Sequence, residues 1–309
     1  MTESARALLP KVPTAFFLPS ATEHTGQRFC LFHAPQGNTP RGRVLYLHPF
    51  AEELNTTRRT VAQQARALAQ AGFAVLQIDL YGCGDSSGDF ADATWSAWLD
   101  DAVQGYRWLS HNTSANANAS SSAWIWGMRS GALLAAELAQ RLQSTAPEAV
   151  NLLLWQPVIS GQQMLQQFLR LHSASQWLGN GSSSNEPSPA QRLAQGESVA
   201  IAGYTLSPAL AQGLCAARLQ PPATASPARL VWLELSSQAA PTPNAASPAT
   251  TAALATWRAA GWQVHADTVT SPAFWQTFGI DAAPALLHAT QQALIADIAD
   301  VIDVIDVAA

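Results

Sequence analysis

Gly127, Met128, Arg129, Ser130 and Gly131 follow the apolar run Ala123 to Trp126 and precede an alanine- and leucine-rich stretch. The spacing is that of a nucleophile elbow, G-x-S-x-G, in which a strand-to-helix turn presents its central side chain from a strained backbone. Here the centre is Arg129. A guanidinium keeps its proton and cannot attack a carbonyl. At a helix N-terminus, where the dipole favours anions, its planar fork suits a carboxylate, a phosphate or a sugar acid. The other role open to Arg129 is to brace loops by pairing with Glu52 or Asp85. Two neighbours are substitute nucleophiles. Cys83, in the turn Gly82-Cys83-Gly84, becomes one if it meets His48 and a cation such as Arg129 lowers its pKa; otherwise it is a small buried thiol. Ser130 follows the tip of the elbow, which turns its side chain toward the first helical turn.

The elements that must position these groups follow from apolar periodicity. Arg43 to His48 reads as a buried strand, Asn55 to Ala71 as a capped amphipathic helix, and Gly72 to Asp79 as a strand ending in a carboxylate. The loop Leu80 to Gly88 leads to a helix from about Trp95 to Ser110, and the helix after the elbow runs to about Leu142. Strands at Val150 to Gln156, Arg229 to Leu235 and Trp262 to Thr268 alternate with a helix near Thr251 to Ala260 and a last helix from about Pro284. This alternation predicts a mainly parallel sheet covered on both faces. Functional loops then gather at the carboxyl ends of the strands, the side on which His48, Cys83 and Arg129 all fall.

The segments HPFAEELN (His48 to Asn55), DLYGCGDSSGDF (Asp79 to Phe90), WGMRSG (Trp126 to Gly131), WQP followed by SG and QQFLRL (Trp155 to Leu171), and PAFWQ (Pro272 to Gln276) carry a resemblance. Over nearly its whole length the chain resembles the α/β-hydrolase fold. More narrowly, it resembles the second type of exosortase A system-associated hydrolase, in a branch similar to serine aminopeptidase-like hydrolases. The resemblance implies hydrolysis of an ester, thioester or amide, and partners in exopolysaccharide synthesis and protein sorting.

The fold also implies where a triad belongs. Its acid follows the strand Arg229 to Leu235, yet no Asp or Glu occurs between Glu234 and Asp267. The alternative acid loop, Gln156 to Ser160, lacks a carboxylate too. The histidine's loop reads Ser271, Pro272, Ala273, Phe274, Trp275, so a Ser-His-Asp mechanism of the usual geometry is not expected. The backbone N–H groups of Phe50 and Ser130 fall where an oxyanion hole is built. His48, Glu52 and Glu53 lie beside it, able to pair with Arg129 or to act as acid or base; the other reading makes His48 a loop brace and the glutamates a solvated helix start. Asp85 and Ser86 brace a turn. Arg129, Glu52, Asp85 and Trp275 are the expected ligand contacts, and Cys83, Ser130 and His48 the candidate catalytic residues.

The composition bounds the rest. At 309 residues one elaborated α/β domain is the expectation, with residues 1–160 and 229–309 forming the core and 161–228 a cap insertion. Charged residues are 12% of the chain and the net charge is −5, which gives no electrostatic reason to bind nucleic acid. No apolar run is long enough to span a bilayer, and no basic start precedes an apolar core, so a cytoplasmic location is expected. Cys30, Cys83 and Cys215 are scattered and suggest neither a disulfide framework nor a zinc cluster, and no cofactor is expected. Two classes remain: an unusual hydrolase, or a noncatalytic accessory protein that holds an anionic acyl or sugar ligand at Arg129.

Overall fold

The computed structural model describes residues 12–20, 26–37, 40–113, 122–143, 149–178, 187–223, 227–237, 247–276 and 283–306. Ten strands and eight α-helices are described among them: β1 (Thr14–Pro19), β2 (Gln27–His33), β3 (Gly42–Leu47), α1 (Glu53–Gln70), β4 (Phe73–Ile78), α2 (Trp95–Thr113), β5 (Ser122–Met128), α3 (Gly131–Leu142), β6 (Val150–Trp155), α4 (Gly161–Leu178), α5 (Pro189–Ala194), β7 (Val199–Ile201), β8 (Tyr204–Leu206), α6 (Pro208–Ala216), β9 (Arg229–Ser236), α7 (Pro248–Ala259), β10 (Gln263–Thr270) and α8 (Pro284–Asp306). Eight strands form one sheet in the order β1-β2-β4-β3-β5-β6-β9-β10. It is parallel from β4 to β10, with β2 antiparallel to β4 and β1 antiparallel to β2.

Burial on two faces explains the strand compositions. β3 and β6 are buried along their whole length, so Leu45, Leu47, Leu152 and Leu154 meet one apolar layer while Val44, Tyr46, Leu153 and Trp155 meet the other. The first layer contains Trp98 and Leu109 of α2 and Leu133 and Leu138 of α3. The second contains Val61, Ala65 and Leu68, spaced along the inner stripe of α1, and Leu286 and Leu294 of α8.

The segment 161–228 lies between β6 and β9 and is built of α4, α5, the β7–β8 hairpin and α6. Its Met164, Phe168, Val199, Ile201, Leu206, Leu210 and Leu214 are buried in the same cluster as α2 and α3. The sequence pattern suggests Phe168 on an exposed apolar face, whereas it is buried against Phe50, ring centroids 5.0 Å apart. The pattern is amphipathic in both cases; tertiary packing decides what the apolar face meets. The strand or hairpin expected over Glu197 to Leu206 is a hairpin, closed by Ala202 and Gly203, both at positive φ as a two-residue turn requires.

β1, β2, α5 and α6 are additions to the sequence reading. β1 and β2 form an antiparallel hairpin whose apolar residues do not make one continuous run. α6 carried a legible start, Ser207 capping Leu210 N–H with Pro208 behind it. The last helix does continue through the acidic tail, to Asp306. The loops expected at His111 to Ser122, Gly179 to Pro189 and Ser236 to Thr250 fall largely on residues 114–121, 179–186 and 238–246, outside the described residues.

Candidate functional site

The elbow is built as its spacing demands. Arg129 has φ +53°, in the left-handed region that non-glycine residues rarely occupy. Its N–H donates to Trp155 O at 3.0 Å, and its carbonyl accepts from Ala132 N–H at 3.1 Å and Val158 N–H at 3.2 Å, bonds that hold the strained residue. The flanking glycines are there because backbone passes too close for a side chain. A Cβ on Gly127 would lie 2.6 Å from Ala132 Cα, and one on Gly131 would lie 2.3 Å from Leu47 O.

The Arg129 side chain turns to Glu53. Nη2 donates to Glu53 Oε1 at 3.1 Å, and Nε lies 3.3 Å from both carboxylate oxygens. Trp275 covers the pair, its ring centroid 5.2 Å from Arg129 Cζ. Trp275 is held there by Thr56 of α1, whose hydroxyl donates to Trp275 O at 3.0 Å. Burial pushes the Glu53 carboxyl up from the ordinary carboxylate range, and the neighbouring guanidinium offsets only part of that shift.

Neither Glu52 nor Asp85 is the brace of Arg129. Glu52 faces the 161–228 segment, where Oε2 accepts from Tyr204 OH at 2.7 Å and from Asn55 Nδ2 at 3.1 Å. Asp85 is exposed, and its N–H donates to Asp79 Oδ2 at 3.1 Å. The helix phase makes the choice: Ala51, at φ +51°, turns the chain after β3, and α1 then starts at Glu53 with successive residues on different sides.

The candidate catalytic residues are not assembled into a nucleophile and base. His48 is buried with both ring nitrogens engaged: Nδ1–H donates to Pro49 O at 2.8 Å, and Nε2 accepts Leu80 N–H at 3.2 Å. A carbonyl can only accept and an amide N–H can only donate, so the ring is the neutral Nδ1–H tautomer. Burial lowers its pKa further. Cys83 is buried among apolar residues, and burial, reinforced by Asp79 and Asp101, raises its thiol pKa rather than lowering it. Asp79 is engaged by Arg58 at 3.0 Å. Ser130 is buried at the start of α3, and no base hydrogen-bonds its hydroxyl among the described residues.

Several donors near the elbow are unspent. Among the described residues no acceptor takes the N–H of Phe50 or Ser130, or Nη1 of Arg129, and Trp275 Nε1 is buried without a partner. Glu53 and Trp275 both contact Arg129; the sequence offers the first among several ion-pair partners and the second as a ligand contact. Gln156 opens the loop in which the sequence lacks the alternative acid. At φ +42° it follows β6, donates its N–H to Leu233 O at 2.7 Å and accepts Leu235 N–H at its side-chain Oε1 at 2.5 Å, tying the end of β6 to β9. No group of three or more His, Cys, Asp or Glu suited to a metal occurs among the described residues. No helix among them is long and apolar enough to cross a membrane. A cleft of about 210 Å³ between β9, β10 and α7 is lined by none of His48, Glu52, Glu53, Cys83, Arg129, Ser130 or Trp275.

Comparison with solved structures places this architecture among α/β hydrolases. Est1E from Butyrivibrio proteoclasticus has 14% identity and a TM-score of 0.56, over 92% of this chain and 99% of that one. A soluble variant of monoglyceride lipase from Saccharomyces cerevisiae has 11% identity and a TM-score of 0.54, over 92% and 95%. An alpha-beta hydrolase from Vibrio vulnificus has 16% identity and a TM-score of 0.52, over 93% and 80%. At such identities the likeness is one of fold. No curated protein sequence matches the chain. The profile of one family, serine aminopeptidase S33, matches residues 38–196, just over half of the 309 and inclusive of β3, the elbow and α3. With the elbow's backbone intact inside that match, this chain belongs to the serine aminopeptidase S33 family of α/β hydrolases.

Proposed function

We propose that this chain is a noncatalytic member of its family, an accessory protein that uses the elbow to hold an anionic group, a carboxylate, phosphate or sugar acid. The observation that carries the reading is the disposition of Arg129. The elbow's tip presents a guanidinium whose Nε and Nη2 edge is held by Glu53 while Nη1 has no partner. A fork anchored on one edge is preorganised to offer the other. The unspent N–H groups of Phe50 and Ser130 and the N-terminus of α3 favour the same sign of charge. The resemblance at His48 to Asn55 and Trp126 to Gly131 supports a setting beside exosortase and exopolysaccharide machinery.

Family membership favours a second reading, hydrolysis of an ester, thioester or amide through Cys83 or Ser130. The geometry lends it less support, since the thiol is raised by burial and His48 has no free nitrogen. One pair of measurements separates the two. Calorimetry with glucuronate, octanoate and inorganic phosphate is expected to find a ligand among them, with affinity at least about tenfold weaker in Arg129→Ala. Unchanged affinity in that variant, or no binding by any probe, overturns the proposal. A panel of esters and thioesters is expected to turn over no faster than in buffer; turnover lost in Cys83→Ala or Ser130→Ala alone would make the protein a hydrolase.

A further inference from the structure

The sheet has two outer strands, and they are finished differently. β1 is six residues long, ends on Pro19 and is preceded by Pro13, residues that cannot donate to a further strand. β10 is eight residues long, pairs with β9 in unbroken register from Gln263 to Thr270, and carries no proline, lysine or bulge. Such an edge invites another strand.

The existing bonds show which groups it offers. Gln263 N–H donates to Ala228 O at 2.9 Å and Ser271 N–H to Ser236 O at 3.0 Å, so the odd-numbered residues of β10 turn their backbone groups toward β9. The even-numbered residues Val264, Ala266, Thr268 and Thr270 therefore turn theirs to the open edge. One of them, Thr268 N–H, is covered by its own neighbour, Asp267 Oδ1, at 2.7 Å. Among the described residues nothing hydrogen-bonds the other three on that edge.

We infer that a second copy of this chain completes the sheet, by antiparallel pairing of the two β10 strands about a two-fold axis at Ala266. Bonding must place even residues opposite even residues. Three centres satisfy this near the middle of the strand, and charge chooses among them. A centre at His265 sets the two imidazoles face to face, and a centre at Asp267 does the same to the two carboxylates. The centre at Ala266 sets His265 opposite Asp267 of the partner subunit, and Asp267 opposite the partner subunit's His265. An imidazole that faces a carboxylate can donate a hydrogen bond to it across the strand pair, whereas two facing carboxylates repel. Both residues are exposed and on one side of β10. In this register Ala266 exchanges both backbone bonds with Ala266 of the partner subunit, and Val264 does so with the partner subunit's Thr268. Asp267 releases Thr268 N–H and takes the facing imidazole instead. The interface is isologous and closed, so it ends at a dimer.

The test is sedimentation equilibrium of the full chain over a hundredfold range of concentration, with circular dichroism to confirm folding. The wild type is expected to dimerise. His265→Asp, which sets carboxylate against carboxylate, is expected to weaken the dimer at least about tenfold. Ala266→Pro, which removes the central N–H without touching a bond to β9, is expected to do the same. The exchange variant His265→Asp/Asp267→His restores the pairing. A wild type that stays monomeric throughout, a dimer unmoved by His265→Asp and Ala266→Pro, or an exchange variant no tighter than His265→Asp alone overturns the inference.

Discussion

Glu53 sets how much of Arg129 is left for a ligand. The carboxylate neutralises the guanidinium locally and holds one edge of it, yet burial keeps the Glu53 pKa above the ordinary range even with that partner. Protonation therefore favours the native state: the contribution of Glu53 to stability is fully present below its unfolded pKa and is lost as pH rises through the raised folded value. The same protonation frees Arg129. Anion affinity at the elbow is expected to rise as pH falls through the Glu53 titration, and Glu53→Gln is expected to tighten binding at neutral pH and to flatten that dependence. Calorimetry of the glucuronate or phosphate complex at several pH values checks this; affinity that falls with acidification in the wild type would refute it. Arg129 itself was legible in the sequence because the G-x-S-x-G spacing fixes its place in the elbow. Its partner was legible only as one of several, among His48, Glu52, Glu53 and Asp85. Glu52 and Glu53 are adjacent carboxylates of one loop, and only the phase at which α1 begins sends one to Arg129 and the other to Tyr204.

At the scale of elements, the elbow depends on glycines more than on its central residue. Gly131→Ala places a Cβ 2.3 Å from Leu47 O and 2.8 Å from His48 O, both backbone atoms that cannot swing aside. α3 must then move off β3, and a loss of roughly 1–3 kcal/mol is expected, read as a lower urea midpoint. The β7–β8 hairpin is fastened by a different device. Tyr204 OH bonds Glu52 at 2.7 Å, and Asn55 Nδ2 lies 3.2 Å from the same hydroxyl. Tyr204→Phe is expected to cost about 1–2 kcal/mol, with faster amide hydrogen exchange in residues 199–206 as its local signature. Exchange rates equal to wild type there would show that buried Val199, Ile201 and Leu206 hold the hairpin without help. The strongly periodic elements were readable: β3, β5, β6 and α1 lie within a few residues of their expected bounds, since strands buried on both faces are continuous apolar runs. The β1–β2 hairpin was not, because its strands gain their burial from partners distant in sequence, β4 beside β2 and Trp108 of α2 against Phe16 and Phe32.

For the molecule as a whole, one pair with no chemistry assigned to it carries much of the risk. Arg28 of β2 and Asp101 of α2 are completely buried, 2.7 Å apart, and Asp101 also accepts Tyr81 N–H at 2.8 Å while Arg28 lies 4.7 Å from the Tyr81 ring centroid. Three separated parts of the chain meet there. Asp101→Ala removes the carboxylate that a fully buried guanidinium meets at 2.7 Å and is expected to cost roughly 3–5 kcal/mol, measured as a shift in urea midpoint at unchanged slope; a loss under 1 kcal/mol would mean that Arg28 is satisfied without Asp101. The amino-acid sequence by itself determined the parallel sheet, the elbow and the cation at its tip. Those depend on apolar period, on glycine spacing and on residue type, all of which are local in the chain. The tertiary structure alone decided that Arg129 meets Glu53 beneath Trp275, that His48 is a loop brace, that Cys83 is a core thiol and that β10 ends the sheet. Each of these joins residues distant in sequence or depends on burial, and neither partner choice nor desolvation is written in any one segment.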